Sequence, residues 1–296
     1  MTEKYHKIIN QKLLMIVIFM GMASSPFPSF SDEYKNPSVI SLDYCADQFV
    51  LLLSDHEQIT AVSRTAEDIF SFYRDRAKGL LKTDSTIEEV IMLRPDFAIQ
   101  TYSLSAHMGE MTNKSGISLI STRYGSNPET VYKNIEMIGS TLNQKARANE
   151  FNANYKKRLE VLKSRPQNDI RIAYITPSSV TAGIGTAIDD IIKLSGFKNY
   201  AEEYGLNGWV TLPLENLILD PPDAFITSFF EQGAVTQSRW SPSRHDFLSK
   251  MVADIPTINI PSNLMSCNGL FLVNAAELLR QEAITLDLID ETGEVQ

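Results

Sequence analysis

Cysteine and histidine are the scarcest chemically useful residues in this chain. It has two Cys and four His in 296 residues. Two thiols cannot make a standard structural zinc site, and no Cys-x-x-Cys or His-x-x-His pair occurs. A Gly-x-Ser-x-Gly elbow is also missing, so a serine hydrolase would lack its usual strand–turn–helix nucleophile. Positive charge is in deficit, with 27 Lys and Arg against 36 Asp and Glu, for a formal net charge of −9. An acidic chain is a poor partner for nucleic acid or for an anionic membrane surface.

What is present suits a globular core: 43% of residues are hydrophobic and 21% charged. The first 31 residues read as a signal peptide. Lys4, Lys7 and Lys12 form a basic n-region, and Leu13 to Ala23 forms an h-region too short to span a bilayer comfortably. Ser29 and Ser31 are small residues at −3 and −1 of a cleavage site before Asp32. No Cys stands directly after the h-region, which argues against a lipid anchor. The expected mature protein is exported and periplasmic. In an exported chain, two Cys default to one disulfide.

Residues 144–164 read as a long polar helix. Phe151, Tyr155, Leu159 and Leu162 recur at three- and four-residue steps and make a narrow apolar stripe on a charged rod. On either side of it stands the same unit. STIEEVIMLRPDFAIQTY precedes the rod and GWVTLPLENLILDPPDAFITS follows it, with Glu88, Pro95 and Asp96 matching Glu215, Pro222 and Asp223 without a gap. A short helix stopped by Pro and followed at once by an apolar strand is an α/β unit. Its recurrence across a strut implies two similar lobes with a cleft between them. The expected division is 1–31 signal peptide, 32–143 N-terminal lobe, 144–165 linking helix and 166–296 C-terminal lobe.

Strands are expected at 38–42, 59–62, 97–100, 117–120, 170–175, 224–227 and 257–260, with helices between them. This alternation is an α/β pattern with mainly parallel sheets, and ligands of such sheets sit at the carboxyl ends of strands. Several candidate ligand residues fall there: Tyr44 and Cys45 after the first strand, Arg64 after the second, Tyr102 after the third and Arg123 after the fourth. Cys45 also lies near a helix N-terminus, where a free thiol would have a lowered pKa. The segment 229–244 is rich in aromatics and Arg, including Arg239 and Trp240, a composition that long loops expose when they bind. Gly183-Ile184-Gly185 before a helix is an incomplete phosphate fingerprint and reads as a tight turn.

Together SVISLDYCADQFVLLL with ITAVSR, IEEVIMLRPDFAI, GWVTLPLENLIL with PPDAFI, and the closing loop with Cys267 resemble the periplasmic binding proteins for cobalamin and ferric siderophores that serve ABC importers. The resemblance covers nearly all of the mature chain. It implies two α/β lobes joined by one long helix, little closure on binding, no catalysis and no resident cofactor. The ligand would be a small-molecule metal chelate: an iron–siderophore, haem or a corrinoid. The partner would be an ABC permease in the inner membrane, and the chain a monomer. Glu88 and Glu215 occupy the positions where the family places its permease-docking glutamates. Trp209, expected in a Gly-rich loop just before the second repeat helix, falls where the cobalamin binders carry a cleft Trp, and residues 263–267 fall on a ligand-contacting loop. The acidic and Arg pair of the cobalamin binders is absent from that loop, and the Arg residues suit an anionic chelate. By the same resemblance Cys45 and Cys267 lie on cleft-facing loops of opposite lobes. They could staple the lobes, touch a metal-bearing ligand as thiols, or never meet. A free-metal-ion binder of similar architecture and a secreted hydrolase are the alternative functions. A bare ion wants several converging His and carboxylates, and the chain after residue 31 has three His, namely His56, His107 and His245.

Overall fold

The computed structural model describes residues 36–101, 106–123, 125, 127–176, 179–228, 254–267 and 269–295. The signal-peptide reading of residues 1–31 lies outside them, as do Tyr102, Arg239 and Trp240. No helix among the described residues is long and apolar enough to cross a membrane.

The first lobe is built on strands β1 (Val39–Ser41), β2 (Ile59–Ser63), β3 (Lys82–Thr83), β4 (Phe97–Gln100) and β5 (Ser118–Ser121). All pair in parallel, in the order β3-β2-β1-β4-β5. The second lobe is built on β6 (Arg171–Ile175), β7 (Val180–Ala182), β8 (Lys198–Asn199), β9 (Trp209–Thr211), β10 (Ala224–Thr227) and β11 (Thr257–Asn259). Its parallel sheet has the order β11-β10-β6-β8, and β7 and β9 form a separate antiparallel pair. The central strands are apolar on both faces, as helices packed on both sides of a parallel sheet require: β1 and β10 are buried at every position.

Ten α-helices are described, the first six being α1 (Tyr44–Leu53), α2 (Ile87–Leu93), α3 (Ala106–Lys114), α4 (Pro128–Thr141), α5 (Lys145–Lys163) and α6 (Ala187–Leu194). The others are α7 (Tyr200–Glu203), α8 (Leu214–Leu219), α9 (Ser262–Met265) and α10 (Leu272–Thr285). Helix α5 is the expected strut, with Tyr155, Leu159 and Leu162 buried and Phe151 half-buried. It is pinned at both ends. Arg147 donates to the Leu53 carbonyl that ends α1 and pairs with Asp55 at 2.6 Å. Further along, Arg158 donates to Glu277 of α10 at 2.9 Å, and the Tyr155 hydroxyl reaches the Gly269 carbonyl. One apolar core runs from Val39 and Phe49 through Tyr155 and Leu159 to Ile226, Phe271 and Leu279, so α5 is the middle of the core rather than a tether.

The internal repeat holds at the level of single hydrogen bonds. Asp96 accepts the Ser38 N–H at 2.7 Å beside the start of β1, and Asp223 accepts the Arg171 N–H at 2.7 Å at the start of β6. In each lobe the Asp of Pro-Asp thus ties the incoming strand to the central one. Each preceding helix buries a single residue, Val90 in α2 and Leu217 in α8, at the same place in the unit.

Candidate functional site

A covalent bond joins a loop beyond the carboxyl end of one sheet to a loop beyond the carboxyl end of the other. Cys45 follows β1, Cys267 follows β11, and the two form a disulfide with Cα atoms 5.0 Å apart. Of the three open readings, the staple is the one the structure has. Both half-cystines are buried, so neither sulfur is a thiol for a ligand, and their place among the ligand-binding candidates is corrected. Around the bond the lobes touch. Phe72 stacks on Phe271 at 4.4 Å, and the Ser266 hydroxyl donates to the Phe70 carbonyl at 3.2 Å.

In the first lobe the cleft edge is organised by two carboxylates that composition alone did not single out. Asp43 caps α1, accepting from the Cys45 and Ala46 N–H groups, and its other oxygen accepts the Thr101 N–H at 2.6 Å. One side chain thereby fixes both the helix start that carries Tyr44 and the strand end that precedes Tyr102. Tyr44 is half-buried, edge-on to Phe70 at 5.0 Å. Asp47, fully buried, accepts from the Ser41 hydroxyl and from the Ser63 N–H and hydroxyl, which clamps the ends of β1 and β2 together. Burial pushes its carboxyl up to about 6, against the pull of those hydrogen bonds.

Arg64 and Arg123 stand at the carboxyl ends of β2 and β5, as expected. Arg64 is exposed but spends its charge on Asp84. Arg123 is exposed, and its backbone is gripped by buried Asn134 of α4. The Asn134 carbonyl accepts the Arg123 N–H at 2.8 Å, and its amide donates to the Arg123 carbonyl at 3.0 Å. Replacing Asn134 with Ala strands that N–H, a loss of about 1–3 kcal/mol. Equilibrium urea unfolding of Asn134→Ala checks this, and an unchanged midpoint refutes it.

In the second lobe Trp209 opens β9 rather than sitting in a loop. It pairs with Ala182 of β7, is 55% exposed, and lies edge-on over Tyr174 of β6 at 5.9 Å. The turn beneath it is the tight turn expected at Gly183: the Leu206 carbonyl leaves no room for a Cβ there. Among the described residues, no three His, Cys, Asp or Glu converge as a metal site.

Glu88 and Glu215 are exposed in the first turns of α2 and α8. They occupy corresponding positions of the two lobes and lie on the outer surface of their helices, two residues before Val90 and Leu217 respectively.

This architecture has relatives. Residues 39–241 match the family described as periplasmic binding protein. The chain belongs to that family. It is thus one of the solute-binding proteins, and its α/β lobes, linking helix and cleft are the family's fold. A curated relative of this periplasmic binding protein is the uncharacterized ABC transporter substrate-binding lipoprotein YvrC of Bacillus subtilis (strain 168), 23% identical over 73% of this chain and 74% of that one. Among solved structures, the periplasmic heme binding protein HutB of Vibrio cholerae superposes with a TM-score of 0.68 at 18% identity. It covers 83% of this chain and 98% of its own. The periplasmic vitamin B12 binding protein BtuF of Vibrio cholerae gives 0.60 at 15% identity, over 83% and 96%. At these identities the two structures speak for the fold.

Proposed function

We propose that the chain is the periplasmic solute-binding component of an ABC importer and carries a metal chelate of the haem, corrinoid or ferric-siderophore class to its permease. The observation that supports this is the Cys45–Cys267 bond joining loops beyond the carboxyl ends of the two sheets, with Trp209 exposed on one lobe and Arg123 exposed on the other. An aromatic face suits the flat or caged organic shell of a chelate, and a guanidinium suits its carboxylates. Haem is the first ligand to test. Tyr44 brings a phenol oxygen to the same edge, and Tyr oxygen is a recognised ligand of haem iron. The names of the relatives agree: HutB is a heme binder, BtuF a vitamin B12 binder and YvrC an ABC substrate-binding lipoprotein.

The rest of this reading is the protein's setting. Residues 1–31 direct export. The lobes span 32–143 and 166–296 about the helix at 144–165, and the mature chain works as a monomer. Glu88 and Glu215, one on each lobe, dock onto cationic groups of the permease and set the orientation of the cleft over it, the kind of work that charge pairs at an interface do best.

Titration of the mature protein with hemin, cyanocobalamin and a ferric hydroxamate, followed by Trp fluorescence, tests the ligand class. One of the three binds with 1:1 stoichiometry. Trp209→Ala removes most of the quench, and Arg123→Ala weakens binding about tenfold, as expected for one charge-assisted contact. If hemin is the ligand, Tyr44→Phe changes its visible spectrum. Failure of all three, together with tight binding of uncomplexed zinc, would replace this reading with the free-ion one.

A further inference from the structure

The two most exposed large apolar side chains among the described residues are Leu219, 84% exposed, and Met92, 72% exposed. A single exposed Leu or Met needs no explanation. These two do, because they occupy the same place in the repeat. Met92 lies four residues after Glu88 in α2, and Leu219 lies four residues after Glu215 in α8. In both helices the one buried residue sits midway between them, Val90 and Leu217. At about 100° per residue, positions two before and two after a buried residue share the face opposite to it. Each lobe therefore presents a carboxylate and, one turn on, a large apolar knob on the same outward face.

We propose that Met92 and Leu219 are paired apolar anchors for the permease, each seated beside the docking glutamate of its lobe. The inference rests on the docking reading above and deepens it. The partner's chemistry follows from the pattern. It carries two equivalent sockets, each joining a cationic group to an apolar pocket, and so is two-fold symmetric or built of two like halves. The repeated Asp96–Ser38 and Asp223–Arg171 bonds hold each helix to its own sheet in the same register, so the two knob pairs are presented alike. Neither Glu88 nor Glu215 has an ion-pair partner among the described residues, so their charges remain for such a partner. The charges steer and orient, while a buried apolar side chain at the centre of a contact supplies much of its hold.

The test is docking of the mature protein to its own ABC permease in phospholipid nanodiscs, measured by interferometry. Met92→Ser and Leu219→Ser each weaken docking about tenfold and the double variant about a hundredfold, the size expected of central apolar contacts. The conservative pair Met92→Leu with Leu219→Met stays within about twofold, and Val161→Ser, an exposed apolar residue on α5, is without effect. Chelate affinity and melting temperature are unchanged throughout. If Glu88→Lys with Glu215→Lys abolishes docking while the double Ser variant docks as wild type, the anchors are wrong and the docking reading stands. If both variants dock as wild type, the docking reading falls with them. An effect at only one of the two positions overturns the pairing. A dimer in sedimentation that the Ser variants dissolve assigns the knobs to self-association instead, and also overturns the proposal.

Discussion

A variant in which Cys45 and Cys267 are both Ala melts roughly 10–20 °C below the wild type, and so does wild type treated with strong reductant. The bond links residues 222 apart in sequence, and a chain-entropy treatment of so long a loop gives about 5 kcal/mol of stabilisation. In a chain of this size, each kcal/mol lost moves the melting point by about 2–4 °C. Ala at both positions avoids leaving a lone buried thiol, and the lost sulfur packing adds to the effect because both residues are in the core. Calorimetry with and without dithiothreitol reads the shift. A change below about 3 °C would mean that the non-covalent contacts between the lobes hold the native state alone, with little help from the staple.

The staple acts together with the strut. Arg147 and Asp55 hold α5 to the first lobe, Arg158 and Glu277 hold it to the second, and the disulfide closes the arrangement at the cleft edges. Two lobes fixed at three places, with one apolar core through them, favour a cleft that exists before its ligand arrives. A preformed site spends less of its binding energy on ordering the protein. Stiffness, which the sequence supported only through family likeness, thus acquires named causes.

How much was legible in the sequence depends on how local the cause was. β4 and β10 fall at the expected residues because a Pro-Asp step and an unbroken apolar run define both ends of a strand. α5 is bounded by its expected ends, with Gln144 and Ser164 as caps, because a stripe at helical spacing is a local signal. The edge strands β3 and β8 were invisible. Each is two residues long and contains a Lys, and each is made a strand by its neighbour rather than by its composition. The β7–β9 pair was missed for the same reason, which put Trp209 in a loop. The partner of Cys45 depends on where two distant loops meet, and spacing carries no such information. Asn134 reads as one polar residue in an amphipathic helix until the strand end it grips is placed beside it. Asp47 is the sharpest case. An acidic residue in the first turn of a helix is ordinary on the surface, and nothing local says that this one is buried.

Asp47 also gives the second large expected effect, a stability profile that runs against the usual direction for a carboxylate. Its folded pKa is raised from 3.8 to about 6, chiefly by burial. The folded state therefore holds a proton that the unfolded state has released between those values. Asp47's contribution to stability is fully present below about pH 3.8 and is lost as pH rises through about 6. At 1.36 kcal/mol per unit the difference is about 3 kcal/mol. Asp47→Asn keeps an acceptor for the Ser63 N–H and a donor for the Ser63 hydroxyl, whose own proton can rotate, so it fits the site without a charge. It is expected to be at least as stable as wild type at pH 7.5, with its advantage shrinking toward pH 4. Asp47→Ala leaves the buried Ser63 N–H without an acceptor and opens a small cavity, and loses about 3 kcal/mol even at pH 4. Denaturant unfolding of the three proteins from pH 4 to 8 separates these cases. Parallel profiles for wild type and Asp47→Asn would mean that Asp47 is ionised in the folded state throughout. Its hydrogen bonds from Ser41 and Ser63 would then outweigh the cost of burying the charge.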